Sequence, residues 1–159
     1  MGSETAVPRQ HRHLGVYGVC ILDERVLLIR KARGPYTGLL DLPGGGIEFA
    51  EEPEMALQRE FREETGLTIS NPSIRQAASK LVRHEAEDGV EEELHHVGLI
   101  YDVSVSRGSK DTLPEPDRFP DGQDSLGASW VRLSDVDEIA LTPFARLALA
   151  GGTRVSSGW

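Results

Sequence analysis

Apolar residues along the chain form short runs that are separated by polar stretches. The runs that are rich in β-branched residues and predict strands are 14–22, 25–32, 73–84, 94–105 and 128–133. The polar pair Asp23-Glu24 separates the first two runs, which predicts a β-hairpin. The polar break "EAEDGVEEE" separates the third and fourth runs and predicts a second hairpin. We therefore expect two strand pairs and a final strand.

Two further segments carry the start and stop signals of helices. Over 52–65, Pro53 stands in the first turn, where proline is tolerated, and Gly66 follows the last turn, where glycine caps a helix. Over 142–151, Thr142 is the predicted N-cap and a proline follows it directly. Both segments are therefore predicted to be helices.

The order strands, helix, strands, helix predicts a mixed α/β or α+β sandwich in one domain. That domain is expected over 13–152, after a disordered tail at 1–12 and before a C-terminal tail at 153–159. The segment 107–127 is rich in Pro, Asp and Gly and is predicted to be a long loop, of the kind that tends to carry function.

Charge and composition limit the classes of partner. The chain has 26 Asp and Glu against 17 Lys and Arg, a formal net charge of −9. Such a protein repels nucleic-acid polymers, and it repels phosphorylated small molecules unless cations mediate the contact. No apolar run approaches the ~20 residues of a membrane span, and the N-terminus lacks an apolar signal-peptide core. We therefore expect a cytoplasmic protein without membrane contact, either a monomer or a homodimer.

Three carboxylates stand close together in the stretch "REFREETGL". On a helix, Glu60, Glu63 and Glu64 share one face, beside the apolar Phe61. One interpretation is a solvated acidic surface. However, like charges four residues apart destabilise a helix, and charge beside a buried surface is costly. A divalent cation removes both penalties, and clustered carboxylates suit Mg²⁺, with Mn²⁺ as the alternative. Arg59 lies four residues before Glu63 and can pair with it.

Ahead of this helix, "LPGGGIE" places three glycines before Glu48. Glycine permits close backbone approach, so a carbonyl can turn toward the same cation. Runs of glycine also mark ordinary turns, and the stretch alone leaves both interpretations open.

The spacing of these residues resembles the signature of the Nudix hydrolases, GX5EX7REUXEEXGU, where U is apolar. Gly45, Glu51 and the stretch 59–67 match every specified position. The resemblance implies a Nudix-type α/β/α sandwich with a mixed β-sheet between helices, over about 14–150. It also implies metal-dependent hydrolysis of a nucleoside diphosphate that is linked to another moiety.

Carried onto this chain, the resemblance implies roles for individual residues. Glu60 and Glu64 match the principal metal ligands, and Glu60 is favoured over Glu64 as the general base. Arg59 matches the arginine that orients a signature glutamate, and completes the implied catalytic set. The implied metal ligands, a backbone carbonyl among them, are Gly44, Glu48, Glu60, Glu63 and Glu64.

Acids outside the signature remain alternatives for the general base. They are Glu92, Glu93 and Asp124, each of which is otherwise a solvated acid. Asp124 is also a candidate substrate contact, because its loop contains further Gly and Asp residues.

The substrate is less clearly indicated. The compact chain resembles the MutT-like branch, which implies hydrolysis of a (deoxy)nucleoside triphosphate to a monophosphate and pyrophosphate. ADP-ribose or a nucleotide sugar is the alternative substrate, and a non-catalytic nucleotide-binding regulator is the alternative class. Arg30, Lys31 and Arg33 stand at the end of the second predicted strand, near the glycines, and are candidates to meet a phosphate.

Aromatic side chains provide candidates for stacking on a base. They are Tyr36, Tyr101, Phe119 and Trp130, although the strand pattern favours a core position for Trp130. His95 and His96 alternate along a predicted strand, so one of them is expected to point inward as a structural histidine.

Overall fold

Seven β-strands, two α-helices and two short 3-10 turns form within residues 7–117 and 125–150, which the computed structural model describes. The strands are β1 (Arg9–Leu22), β2 (Arg25–Lys31), β3 (Leu40–Asp41), β4 (Gly44–Gly46), β5 (Ile69–Glu85), β6 (Glu91–Val105) and β7 (Ser125–Arg132). The helices are α1 (Pro53–Thr65) and α2 (Pro143–Leu149), and the 3-10 turns are Ser109–Asp111 and Leu133–Glu138.

The strands form one mixed sheet in the order β3-β2-β1-β6-β5. β1 and β6 are parallel, whereas the other pairs are antiparallel. The short strand β4 pairs with the middle of β1, so that Gly44 lies opposite Tyr17. β7 pairs with β2. The long central strand β1 is therefore the element against which the glycines of β4 are placed.

Alternation along β1 puts the two helices on opposite faces of this sheet. Val16 and Cys20 pack with Phe61 of α1 in one apolar core. Tyr17 packs with Phe144 of α2 in the other. Successive side chains of a strand point to opposite faces, so these are the two sides of one layer. The predicted sandwich with a mixed sheet between helices is confirmed.

Local signals placed the hairpin, the starts of both helices and the end of α1 correctly, whereas α2 ends at Leu149, before the predicted limit of 151. Asp23 and Glu24 both adopt left-handed backbone angles, φ 49° and 57°, in the tight turn between β1 and β2. Gly66 ends α1 with φ 73°, and its N–H donates to the carbonyl of Arg62. Thr142 caps α2, where its hydroxyl accepts from the N–H of the third helical residue.

Two boundaries need correction. The tail predicted at 1–12 overlaps β1, because residues 9–12 pair with β6. Ion pairs hold this end of the strand, among them Arg9 with Asp88 at 2.8 Å. Because the side chains here are polar, the sequence pattern did not indicate a strand. β7 begins at Ser125, inside the predicted loop, and the predicted C-terminal tail lies outside the described residues. Among the described residues, no helix combines the length and apolar character that a membrane crossing needs.

Candidate active site

The glycines of β4 lie against the acidic face of α1. Gly44 has φ 153°, and a Cβ there would collide with the carbonyl oxygen of Val16 and the Cα of Tyr17. A Cβ on Gly45 would lie 2.5 Å from Oε2 of Glu60. Only residues without side chains let the backbone approach the helix and β1 so closely. The glycine run is therefore part of the site and not an ordinary turn.

Glu64 is buried beneath these glycines, with 3% of its surface exposed. Its Oε2 accepts a hydrogen bond from the N–H of Gly44 at 3.3 Å. Burial raises the pKa of the Glu64 carboxyl well above its usual range, and the positive charge of Lys31 opposes this rise. Glu60 adds to it, because two neighbouring carboxylates resist sharing negative charge.

Arg59 donates hydrogen bonds to two further carboxylates of the cluster. Its Nε and Nη2 donate to both oxygens of Glu51, at 2.9 and 2.8 Å, and its Nη1 donates to Glu60 at 2.8 Å. Nη2 also donates to the carbonyl of Gly46 at 3.0 Å, which ties the helix to β4. Hydrogen bonds from Arg59 lower the pKa of Glu51 to about 2. The signature arginine thus fixes two glutamates at once.

Glu63 and Glu48 lie at the outer edge of this cluster. Their carboxylates are 3.5 and 3.9 Å from Nη1 of Arg59, and their side chains are 52% and 72% exposed. The expected pairing of Arg59 with Glu63 is present, but it is longer than the contacts to Glu51 and Glu60. Glu48 and Glu63 thus face solvent at the mouth of the site.

The predicted ligand atoms are all oxygens, which is the chemistry that a hard divalent cation prefers. Every side chain that the sequence predicts as a ligand offers carboxylate oxygen, which suits Mg²⁺ or Mn²⁺. Within residues 7–117 and 125–150, no three His, Cys, Asp or Glu side chains converge as a finished metal centre. The guanidinium of Arg59 instead donates a hydrogen bond to the carboxylate of Glu60. An incoming ion would therefore share the Glu60 carboxylate with this guanidinium, whose described hydrogen bond goes to Oε1.

A second buried carboxylate, Asp41 at the end of β3, was missed by the sequence reasoning. It is 3% exposed and accepts from the Thr142 hydroxyl at 2.6 Å and from the N–H of Leu42 at 2.8 Å. Burial raises its pKa, which the charge of Lys31 opposes. Lys31 acts in the same way on Glu64. The signal in the sequence was a lone acid within the apolar run "LLDLP".

Of the three predicted phosphate contacts, Lys31 is the one whose charge acts on buried carboxylates of the site. Arg30 is exposed, and its Nη1 donates to the carbonyl of Gly38 at 2.8 Å. Arg33 is exposed in the loop after β2. Asp124 lies outside the described residues.

The alternative acids on β6 lie far from the glycines. Glu92 and Glu93 pair with Arg9 and Gln10, whereas β4 pairs with β1 from residue 15 onward. At ~3.3 Å per strand residue, this places them more than ~15 Å along the sheet. Glu93 is moreover held by Gln10 at 2.6 Å. This position favours the carboxylates of α1 as the reacting groups.

Aromatic side chains gather on the α2 face beside this cluster. His96 points inward as expected, 4% exposed, and its Nε2 lies 2.6 Å from the Tyr17 hydroxyl. Tyr36 from the loop after β2 covers it. Tyr101 packs on the α1 face instead. Trp130 is half-buried there, as the strand pattern favoured, while Phe119 lies outside the described residues.

Comparison with known proteins places the chain in a family. The family model of the NUDIX domain matches residues 11–150. The nucleoside triphosphatase NudI of Escherichia fergusonii is 34% identical over 132 residues, which cover 80% of this chain and 87% of that protein. An ADP-ribose pyrophosphatase of Methanocaldococcus jannaschii is 42% identical over 57 residues, but the match spans only 36% of this chain and 34% of that protein.

The fold agrees with these matches. The crystal structure of a MutT NUDIX hydrolase from Burkholderia pseudomallei superposes with a TM-score of 0.61 at 28% identity, over 90% of this chain and 99% of that one. Nudix hydrolases use a divalent metal ion, which agrees with the oxygen-rich cluster on α1. From the match over 11–150 and the intact signature, the chain belongs to the Nudix family of hydrolases.

Proposed function

We propose that this protein hydrolyses a nucleoside triphosphate to a nucleoside monophosphate and pyrophosphate, with Mg²⁺ as the metal. The observation that carries the proposal is the placement of Glu60 and Glu64 directly against the glycines of β4. The choice of substrate is supported by a relative that matches this chain over 87% of its own length and is a nucleoside triphosphatase.

The metal would be held by oxygen atoms of the signature. Glu60, Glu64 and the carbonyl of Gly44 are the proposed inner ligands, and the exposed Glu48 and Glu63 complete the set from the solvent side. When bound, the cation offsets the charge of the diphosphate and polarises a phosphoryl oxygen. This is how a chain with a net charge of −9 accommodates an anionic substrate.

The chain's own groups then position and deprotonate the attacking water. Glu60 is the proposed general base, because its side chain keeps 14% exposure at the mouth of the site whereas Glu64 is buried. Arg59 orients Glu60 through the 2.8 Å contact and is itself fixed by Glu51. The water oxygen bonds to phosphorus, its proton passes to Glu60, and the bridging P–O bond breaks to release pyrophosphate.

ADP-ribose is the second candidate substrate. It contains the same diphosphate, and the M. jannaschii relative shares 42% of 57 residues with this chain. A non-catalytic regulator would have no need for the complete set of signature carboxylates and their arginine, all of which are in place here.

The test follows the nucleotide products by chromatography, with Mg²⁺ and nucleoside triphosphates, 8-oxo-dGTP, ADP-ribose, a nucleotide sugar or a dinucleoside polyphosphate; pyrophosphate is the expected second product of the triphosphates alone. Glu60→Gln and Glu64→Gln are expected to lower kcat at least ~100-fold, as for loss of a general base or ligand. Glu54→Gln, an exposed position on the same helix, is the matched control. No turnover of any substrate, or equal turnover by all three variants, would overturn the proposal.

A further inference from the structure

His96 lies inside a cage of four aromatic rings. The rings of Phe144, His13 and Tyr17 stand at 85°, 65° and 70° to it, with centroids 4.3, 5.1 and 5.6 Å away. Tyr36 differs, because its ring is inclined by only 30° at 6.0 Å. Among the described rings, Tyr36 alone lies over His96 in a nearly parallel orientation.

Two polar atoms within this cage lack hydrogen-bond partners among the described residues. They are the hydroxyl of Tyr36 and Nδ1 of His96, and their residues are 8% and 4% exposed. An unpartnered polar atom in a buried position carries a desolvation penalty, so natural structures rarely retain one without a reason. The second ring nitrogen of His96 is already engaged by Tyr17. Two adjacent stacked rings therefore each carry a buried polar atom without a described partner.

The stacked rings of Tyr36 and His96 are the pair between which a third planar ring would insert. Aromatic atoms in contact lie ~3.5 Å apart, so a ring held between two others needs roughly 7 Å. The 6.0 Å between the ring centroids lies within the ~4.5–7 Å of an offset-stacked pair, so a base would enter only after Tyr36 moves outward. Tyr36 belongs to the loop 32–39, where Gly34 and Gly38 flank it with φ 80° and 84° in open surroundings. An outward shift of this loop would be needed to open the slot.

Charge selects the kind of ring that fits. Burial, with the charges of His13 and Lys31, lowers the pKa of His96 to about 3, so the imidazole is neutral at physiological pH. A neutral imidazole does not attract a phosphate, whereas a neutral heterocycle with donors and acceptors on its edge matches it. The cage also adjoins the signature, because Tyr17 lies opposite Gly44.

We propose that Tyr36 and His96 form the nucleobase site, in which the base stacks between the two rings and hydrogen-bonds to the Tyr36 hydroxyl and His96 Nδ1. This inference rests on the proposed hydrolysis of a nucleotide and adds the residues that read its base. Stacking on aromatic rings is worth ~1–3 kcal/mol per base, and ~1.4 kcal/mol is a tenfold change in affinity.

The test compares ligands with and without a base. Calorimetric titration with Mg²⁺ would use the monophosphates of adenosine, guanosine, cytidine and uridine, and ribose 5-phosphate as the base-free probe. None contains a phosphoanhydride, so binding is measured apart from turnover. Wild type is expected to bind at least one nucleotide roughly tenfold more tightly than ribose 5-phosphate, the effect of one stacked base.

Two variants separate recognition from folding. Tyr36→Phe removes a hydroxyl that has no described partner, so the melting temperature is expected to hold or rise. His96→Gln keeps an amide within reach of Tyr17 but loses Nδ1. Both are expected to weaken binding of the preferred nucleotide at least ~5-fold and to leave ribose 5-phosphate unchanged. Tyr101→Phe, on the α1 face, is the matched control.

Each result decides the inference. Equal or undetectable binding of all five probes overturns it, and so does an unchanged base preference in either Tyr36→Phe or His96→Gln. Hydrolysis of nucleotides without base preference in binding overturns this inference alone. Base preference without hydrolysis of any nucleotide overturns the proposed function alone.

Discussion

Buried His96 makes the free energy of unfolding depend on pH. Its pKa falls from 6.5 to about 3 in the folded protein, first through burial and then through the charges of His13 and Lys31. In the unfolded chain an imidazole titrates near ~6.5. Between these values the unfolded chain binds a proton that the folded protein does not, so acid favours unfolding through this residue.

The size of the effect follows from this window. One pH unit inside it changes the free energy of unfolding by ~1.4 kcal/mol. Lowering the pH from 8 to 5 therefore destabilises the protein by about 2 kcal/mol through His96 alone, because the unfolded chain begins to protonate near ~6.5. Since pH 5 lies well above the folded pKa, this figure does not depend on where near 3 that pKa falls.

Other buried groups act in the opposite direction. Burial raises the pKa values of Asp41 and Glu64 in the folded protein. As the pH falls, these carboxyls therefore bind protons in the folded state before they do so in the unfolded chain, which stabilises the folded state. The pH dependence of the wild type alone therefore mixes both signs. The difference between wild type and His96→Gln isolates the histidine, because the substitution leaves both carboxyls in place.

The assay is urea unfolding at pH 8 and pH 5, followed by circular dichroism. The loss of stability between the two pH values is expected to be about 2 kcal/mol smaller in His96→Gln than in wild type. His11→Gln, which removes an exposed imidazole from β1, should behave as wild type. Equal pH dependence in wild type and His96→Gln would refute the assignment of a neutral buried imidazole.

Three further substitutions test the site and its support. Gly45→Ala is expected to lower kcat at least ~10-fold while stability changes little, because its Cβ would meet Glu60 Oε2, the movable end of a side chain. Arg59→Lys is expected to lower kcat/KM and Tm, since lysine lacks the planar fork that binds a carboxylate through two donors. Thr142→Val removes a hydrogen bond to buried Asp41 and a helix cap, and should lower the free energy of urea unfolding by about 2–3 kcal/mol.

Controls for these substitutions lie nearby. Gly46→Ala places a Cβ 3.2 Å from the His13 ring, away from the signature carboxylates, and should keep more activity than Gly45→Ala. Thr112→Val removes an exposed hydroxyl and should leave stability within ~0.5 kcal/mol of wild type. Full kcat in Gly45→Ala, wild-type kinetics in the lysine variant, or a stable Thr142→Val protein would each contradict its prediction.

The features that the sequence predicted depend on residues that are close in the chain. The limits of α1 follow from Pro53 at its start and Gly66 at its end. The acidic cluster follows from helical spacing, which puts Glu60 and Glu64 on one face whatever the rest of the fold does. The contacts of Arg59 were less visible, because its strongest partner, Glu51, precedes the helix.

The features that the sequence left hidden depend on strand pairing. Residues 9–12 carry polar side chains and show no apolar alternation, and they form a strand because the long β6 offers them partners. The aromatic cage joins Tyr17, Tyr36, His96 and Phe144 from four separate elements. No local spacing brings such residues together, so their common site appears only once the sheet order is known.

The signature and the aromatic cage should affect catalysis in different ways. In the proposed mechanism Glu60 and Arg59 act on the diphosphate, which every candidate substrate shares, so their loss should lower kcat for all nucleotides in proportion. Tyr36 and His96 act on the base, so their loss should change the ranking of nucleotides by kcat/KM and leave the slowest substrates unaffected. A uniform loss from cage variants would mean that the rings only support the fold around β4.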